Sequence, residues 1–530
     1  MKILVSDSLS PRGVEVLQQA GFTADVKTKL TKEELLEEIK QYDGIIVRSA
    51  TKVTAEVIEA GDRLKIIGRA GTGLDNVDKE AATRRGIVVM NTPGGNTITT
   101  AEHTIAMMVA MSRKIPQATA STKAGKWEKS KFMGMELYNK TLGLIGLGQI
   151  GTVVTKLAQG LQMNVIGYDP FLAPERAKQL GIEVVELPEL YRRADIISVH
   201  TPLTNETRSL IRAETIQQMK DGVMIVNCAR GGIVNEHDLF EALKSQKVAS
   251  AAFDVFEEEP VKPDHPLLTL ENFICSPHIG ASTEEAQENV AISIAEQFVD
   301  YFKKGVARGA ANIPSVPPEI LPQLQPYLAL VERMGSFQAQ LIDGGIEQVT
   351  VEYCGEVANL NVAPLTVAVL KGLFAPILEV AVNAVNAPVL AKDRGIAVKE
   401  IKGTDSGNLT SLIRIQVEAS KKTHEVAGTL YHKKEPRIVE SNHYPVEVIP
   451  EGHMLLIYNV DRPGVIGTVG KILGDHQVNI ARMQCSRHHE GGNALLIIGL
   501  DGAPSSDVMS AIKSEPNILL VRHVDMSCVV

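Results

Sequence analysis

Between residues 141 and 278 the chain repeats one pattern seven times: a short apolar run, then a stretch long enough for a crossover helix. The runs fall at 141–146, 164–169, 183–185, 195–200, 223–228, 250–255 and 272–275. Apolar runs this short, joined by crossovers, predict buried parallel strands in a doubly wound sheet. Residues 1–100 carry a smaller version, with strands predicted at 2–6, 44–47, 65–68 and 86–90. Helices are predicted at 31–39 and 54–60, with Thr31 and Thr54 as N-caps. Residues 100–111 are apolar on nearly every face, which predicts a helix buried between domains or subunits.

The C-terminal half reads differently. The proline-rich stretch 312–318 cannot continue a helix and marks a boundary, and a second break falls at 449–452. Beyond it come strand, helix, strand, strand, helix and strand, at 454–460, 465–475, 480–487, 494–500, 506–514 and 518–524. That order is the ferredoxin-like βαββαβ unit. The expected fold class is α/β: two Rossmann-like parallel-sheet domains, then an α+β intervening domain and the ferredoxin-like domain. The expected boundaries are 1–98 with 287–313, then 99–286, 314–451 and 452–530.

Composition removes several functions. A net charge of −9 without any run of clustered Lys and Arg argues against nucleic acid as a partner. Aromatic residues make up only 4%, too few for a base-stacking platform. The apolar stretch 362–390 is broken by Pro364, Lys371, Pro376 and Glu379, so it predicts buried helix. A membrane span needs about 20 largely apolar residues without such breaks. Five scattered cysteines (Cys228, Cys275, Cys354, Cys485 and Cys528) never form Cys-x-x-Cys. They fit a reducing compartment and no zinc or other metal site. The apolar run at 1–7 is too short for a signal peptide, so a cytoplasmic protein is expected.

The sharpest local signal is Gly146-Leu-Gly148-Gln-Ile-Gly151. An apolar strand runs into it, a helix follows, and a second strand ends in Asp169, eighteen residues after Gly151. Gly146 makes the tight turn, Gly148 lets a pyrophosphate approach the backbone, and Gly151 allows close helix–strand packing. The pyrophosphate meets the positive end of the helix. Asp169 accepts from the adenine ribose and repels a 2′-phosphate, so NAD is the expected cofactor rather than NADP.

Polar residues then collect at successive strand ends: His200-Thr201, Cys228-Ala229-Arg230, Asp254 with Glu259 beyond it, and His278-Ile-Gly280-Ala281. In open α/β sheets ligands sit at those ends. Oxidising a secondary alcohol needs a base, a cation for the developing carbonyl and a hydride acceptor. His278 is the natural base, since an imidazole ionises near ~6.5. Glu259 can hold its tautomer and stabilise the imidazolium. Arg230 offers a planar fork for a carboxylate, and Gly231-Gly232 lets the backbone come close.

These strings, with Phe253-Asp-Val-Phe-Glu-Glu-Glu-Pro260 and Ser276-Pro-His278-Ile-Gly-Ala-Ser282, resemble the D-2-hydroxyacid dehydrogenase family over residues 1–313. The resemblance implies that Arg230, Glu259 and His278 are catalytic. It also implies that Thr72, Gln149, Ile150, Asp169, Thr201, Cys228, Ala229, Asp254 and 278–281 line the NAD site. The branch that oxidises 3-phosphoglycerate, at the first step of serine synthesis, is most similar. Its substrate side is matched by 47–53, 68–77 and 94–96. Alternatives are a dehydrogenase for 2-hydroxyglutarate, glycerate or lactate, and an NAD-sensing corepressor-like binding protein.

On the substrate side, Gly71-Thr72-Gly73 can present backbone N–H groups to a carboxylate. Arg48 and Arg69, at strand ends facing the cleft, can bind a phosphate, and Asn96 adds a neutral donor. Lys126, Lys129 and Lys131 flank Trp127, either as a solvated basic loop or reaching a phosphate across a subunit contact. The last domain, with Tyr458-Asn-Val-Asp461-Arg-Pro-Gly464 and Asn479, resembles ACT regulatory modules that bind amino acids between paired domains. By position Asn459, Asp461 and Asn479 match residues that hold serine, which implies an L-serine effector. Residues 314–451 resemble an anion-binding domain through Gly428-Thr-Leu430 and Lys433-Lys434-Glu-Pro-Arg437. The family resemblance and the apolar 100–111 helix imply a homo-oligomer, a dimer or tetramer.

Overall fold

The structure, a computed structural model, describes residues 1–314, 316, 319–420 and 422–527. Ser315, Pro317 and Pro318 of the proline-rich boundary, and Cys528, lie outside the described residues. The chain divides into two compact units. One holds Met1–Ser8, Val14–Asn91 and the chain from Ile294 onward; the other holds Leu9–Gly13 and Thr92–Ser293.

The second unit is built on seven parallel strands. Their order across the sheet is Phe273–Cys275, Val248–Phe253, Val223–Asn227, Ile196–Val199, Thr141–Ile145, Asn164–Tyr168 and Glu183–Val184. All seven were expected from the apolar runs. The strands Ile196–Val199 and Val223–Asn227 are buried at every residue, the pattern of a sheet covered on both faces. Strand order reverses between Thr141–Ile145 and Ile196–Val199, the switch point at which α/β sheets open a ligand crevice. The helix Gln149–Gly160 starts there and packs against the long helix Thr97–Ser112.

That long helix is covered on one face within the chain. It buries Thr100, Ala101, Thr104, Met107, Met108 and Met111, but Ile98 is 64% exposed and Glu102 and Ala106 are also exposed. The packing within its unit covers one face only, and the apolar pattern alone cannot say which face remains open.

Among the described residues the first unit contains three sheets. The first is parallel, in the order Thr23–Val26, Lys2–Val5, Gly44–Val47, Ile66–Arg69 and Val88–Asn91. Thr23–Val26 has no apolar run because it is an edge strand, with its outer residues exposed and Asp25 held by the Tyr42 hydroxyl at 2.8 Å. Thr31 forms a reciprocal capping box with Glu34, whereas the Thr54 side chain makes no cap bond.

The second sheet has six strands, Ala397–Gly403, Ile346–Gly355, Ser411–Ala419, Lys422–Tyr431, Glu435–Ser441 and Tyr444–Val448, antiparallel except for the first pair. Helices Leu321–Ala339 and Ala363–Phe374 bury Leu330, Met334, Phe337, Leu365, Val369 and Leu373 in the core of this domain. The apolar 362–390 stretch is thus two helices, Ala363–Phe374 and Ala387–Asp393, separated around Pro376. No helix among the described residues is long and apolar enough to cross a membrane.

The third sheet is the expected antiparallel βαββαβ unit, in the order Ile480–Arg487, Asn493–Leu500, His453–Val460 and Ile518–Asp525. Leu455, Ile457, Leu496 and Ile498 pack against its own helices Val465–Asp475 and Ser506–Lys513. The alternate residues Met454, Leu456, Leu495 and Ile497 join the core of the six-stranded domain. Period-two alternation therefore buries both faces of this sheet.

Candidate active site

The glycine turn is shaped by its own backbone. Gly146 adopts φ 95°, and a Cβ on Gly151 would lie 2.1 Å from the Gly146 carbonyl oxygen, so neither position admits a side chain. At Gly148, by contrast, an added Cβ meets nothing within 4 Å, so the backbone there is open to a ligand. Gly148 is also the N-cap of Gln149–Gly160, whose first N–H groups lie at the same place. Asp169 is tied in by the N–H groups of Leu147 and Phe171, both at 2.9 Å. The hydroxyl of Thr201 and Nδ1 of His200 are buried without a protein partner, and Thr201 Cγ2 lies beside Gly146. Burial depresses the His200 pKa to about 4, so the imidazole is neutral. An open glycine, a helix N-terminus, a braced carboxylate and an orphaned hydroxyl fit a dinucleotide.

The remaining residues expected near NAD fall in two places. Gln149 accepts from the Thr97 hydroxyl at 3.1 Å, and Ile150 follows it in the same helix. Cys228 is buried, which pushes its thiol up to about 12 and keeps it uncharged. Thr72 belongs to the other unit, where its carbonyl accepts from Asn91 at 2.5 Å.

The three residues expected to react all lie in the second unit. Nδ1 of His278 is 2.7 Å from Oε2 of Glu259, and Oε1 of Glu259 accepts the Phe256 N–H at 3.0 Å. Burial raises the Glu259 pKa, but the His278 and Phe256 hydrogen bonds outweigh it and hold the carboxyl below its usual range. Arg230 sits in the turn after Val223–Asn227, with its guanidinium donating to the Ala229 carbonyl at 2.7 Å. The close approach expected at Gly231 is to the protein itself: a Cβ there would lie 1.9 Å from the Phe256 carbonyl oxygen. The Arg230 turn and the Glu259 turn are therefore pressed together at that glycine.

Asp254 organises the His278 loop. It is 1% exposed, and it accepts from the Ser276 hydroxyl at 2.6 Å, Ile279 N–H at 2.8 Å and Gly280 N–H at 2.7 Å. His103 adds Nε2 at 3.3 Å from the same carboxylate and 3.2 Å from Ser276 Oγ. Sequence reasoning missed His103, Ser276 and Asn227. Asn227 is fully buried; its amide donates to the Arg230 carbonyl at 3.0 Å and accepts from Ala229 N–H at 3.1 Å. The signal available was a polar residue ending an otherwise apolar strand.

The substrate-side residues are divided. Arg48 and Arg69 follow or end neighbouring strands in the first unit, and Arg69 Nε approaches the Arg48 carbonyl at 3.4 Å. A guanidinium nitrogen of Arg69 donates to the Gly73 carbonyl at 2.5 Å. The Gly71 N–H already donates to the Arg69 carbonyl at 2.9 Å, so the glycine turn offers fewer free donors than expected. Asn96 is in the second unit, as N-cap residue of Thr97–Ser112 without a side-chain cap bond. Trp127 is 81% exposed, and Lys131 pairs loosely with Glu271 at 3.9 Å.

In the tail, the expected effector residues already have protein partners. Asp461 pairs with Arg487 at 2.7 Å, Asn479 donates to Asp501 at 2.7 Å, and Asn459 is buried and donates to the Val460 carbonyl at 2.9 Å. The Asn459 side-chain oxygen has no protein partner.

Three family profiles match the chain. They are the NAD-binding domain of D-isomer specific 2-hydroxyacid dehydrogenases at 105–280, the D-3-phosphoglycerate dehydrogenase intervening domain at 323–442, and the ACT domain at 453–517. A D-3-phosphoglycerate dehydrogenase of Archaeoglobus fulgidus is 46% identical over 528 residues, covering 99% of this chain and 100% of that protein. One of Methanocaldococcus jannaschii is 47% identical over 527 residues, again covering 99% and 100%. The chain belongs to the D-3-phosphoglycerate dehydrogenase family. An NAD+-bound 3-phosphoglycerate dehydrogenase of Entamoeba histolytica superposes with a TM-score of 0.50 at 34% identity, over 60% of this chain and 99% of that one. The glycine turn of this family member is thus that of an NAD-binding domain.

Asp254 gives a test of the loop geometry. Burial raises its pKa, but His103, Ser276 and the N–H groups of Ile279 and Gly280 more than offset that and hold it low. Its stabilisation is complete above the ordinary aspartate pKa of about 4 and is lost as pH falls through the lowered value. Asp254→Asn should lower the unfolding temperature at neutral pH and flatten its decline below about pH 4. Thermal unfolding across pH measures this, and equal steepness in both proteins rejects the clamp.

Proposed function

We propose that the chain oxidises 3-phospho-D-glycerate to 3-phosphohydroxypyruvate with NAD, with Arg230, Glu259 and His278 as its catalytic residues. The observation that carries the assignment of roles is the 2.7 Å contact between His278 Nδ1 and Glu259. It commits one ring nitrogen to the carboxylate and leaves Nε2 to take the substrate hydroxyl proton. Glu259 then stabilises the imidazolium, without itself taking the proton. Arg230 holds the carboxylate and the oxygen that becomes the carbonyl. NAD supplies the acceptor for the hydride leaving C2. Full-length similarity to enzymes named for this substrate supports the choice of 3-phosphoglycerate, with Arg48 and Arg69 as its phosphate ligands and Gly71 and Asn96 as further donors.

The same reading places the enzyme in the cytoplasm, as a homo-oligomer, at the first step of serine synthesis. Ile98 and the other exposed residues of the long helix are where a second copy would sit. The tail is read as a serine sensor through Asn459, Asp461 and Asn479. The Asp461–Arg487 pair is exposed enough for an ammonium group to compete for the carboxylate.

Three measurements test this. His278→Ala should lower kcat by at least about 1000-fold while NADH affinity, followed by fluorescence, stays near that of the unaltered enzyme. Loss of NADH binding instead would make His278 structural. Arg48→Ala and Arg69→Ala should each raise KM for 3-phosphoglycerate by about tenfold, the scale of one lost charged contact. Unphosphorylated D-glycerate turned over as well as its phosphate would end that assignment. Calorimetry with L-serine should show binding that disappears in Asn479→Ala, and no heat with the unaltered chain removes the sensor.

A further inference from the structure

One half-buried hydrogen-bonded pair outside the reacting residues, Glu236 and His265, braces the turn that carries Glu259. Glu236 starts the helix Glu236–Lys244, and its side chain is 11% exposed. His265, 22% exposed, lies just before the short turn Pro266–Thr269. Nε2 of His265 is 2.9 Å from Oε2 of Glu236. The other oxygen, Oε1, accepts the Glu257 N–H at 2.7 Å. The His265 ring stands edge-on to Phe256, with centroids 5.8 Å apart. Its Nδ1 is buried with no protein partner, so its side-chain hydrogen bonding goes to Glu236 alone.

The pair thus grips Phe256 through its ring and Glu257 through its N–H. On the other side of the same turn, Phe256 N–H holds Oε1 of Glu259, which leaves Oε2 for His278. The other charged groups near the turn are Arg208, 3.9 Å from Glu257, the exposed Glu258–Lys262 pair at 2.8 Å, and Asp254.

We propose that Glu236 and His265 are positioning residues whose hydrogen bond fixes the 256–259 turn, so that Glu259 presents one oxygen to His278 during proton transfer. The proposal rests on the reading of Glu259 and His278 as the reacting pair. Two features favour positioning over stability alone. The pair touches the turn at two successive residues, the Phe256 ring and the Glu257 N–H, and Phe256 is the residue whose N–H holds Glu259. Glu236 also spends an oxygen on the turn, while Asn235 caps its helix by accepting from Asp238 N–H.

A double-mutant cycle on the full chain separates the possibilities. Glu259→Gln comes first: turnover equal to that of the unaltered enzyme would overturn the reading of the reacting pair, and the latch with it. If Glu259→Gln is slow, His265→Leu is expected to lower kcat about tenfold while changing KM and NADH affinity by less than about twofold. Because His265 acts through Glu259, the double variant should be no slower than Glu259→Gln alone. His265→Gln, which keeps an N–H donor near Nε2, should recover most of the loss. An unchanged kcat in His265→Leu, or losses that multiply in the double variant, would overturn the latch and leave the reacting pair standing. Should His265→Leu fail to fold, Glu236→Gln replaces it, with the same direction of loss and the same non-additivity required.

Discussion

At the end of the Val248–Phe253 strand a carboxylate is buried where water cannot satisfy it, so its hydrogen bonds must come from the protein. They come from Ser276, Ile279 and Gly280, the segment that carries His278. His278 itself has φ 55°, a left-handed conformation that costs a side-chain-bearing residue on the order of 1 kcal/mol. Such a conformation persists only where neighbours impose it, and Asp254 is the neighbour. The N–H of Asp254 donates to the Asn227 carbonyl at 3.0 Å, and the Asn227 side chain in turn shapes the Arg230 turn. One strut therefore sets both the His278 loop and the Arg230 turn.

Charge around this strut is sparse and placed. His200 and Cys228 are buried titratable groups, and burial keeps both neutral. Hydrogen-bond donors hold the Glu259 and Asp254 carboxyls below their usual range, although burial pushes both the other way. A carboxylate held by fixed donors needs no rearrangement when an imidazolium forms beside it, which is the arrangement that favours proton transfer. Gly231 sets the spacing, since any side chain there would displace the Phe256 carbonyl and move the Glu259 turn away from Arg230.

The C-terminal domains show a different economy. The βαββαβ sheet is apolar on both faces and shares its core with the six-stranded domain. Two of the three basic residues that suggested an anion site there are already paired within the protein: Lys433 with Glu356 at 3.3 Å, and Arg437 with Glu435 at 2.7 Å. Arg414 lies among Glu352, Glu425 and Glu440, so a single guanidinium balances part of a mostly acidic sheet face.

Much of this was legible in the sequence because burial on both faces of a parallel sheet forces continuous Ile, Val and Leu runs. Those runs located all seven strands of the NAD-binding domain and, through their ends, Arg230, Asp254 and His278. Gly146 and Gly151 were legible for a similar reason, since a Cβ at either would run into backbone. The edge strand Thr23–Val26 left no run because only one side of it is covered, and the open face of Thr97–Ser112 left none because exposure is set by what packs against it. The partners His103, Ser276, Glu236 and His265 were invisible for a deeper reason. A hydrogen bond between residues far apart in the chain carries no periodicity, so tertiary structure alone decided which polar side chains brace the Glu259 turn and the His278 loop.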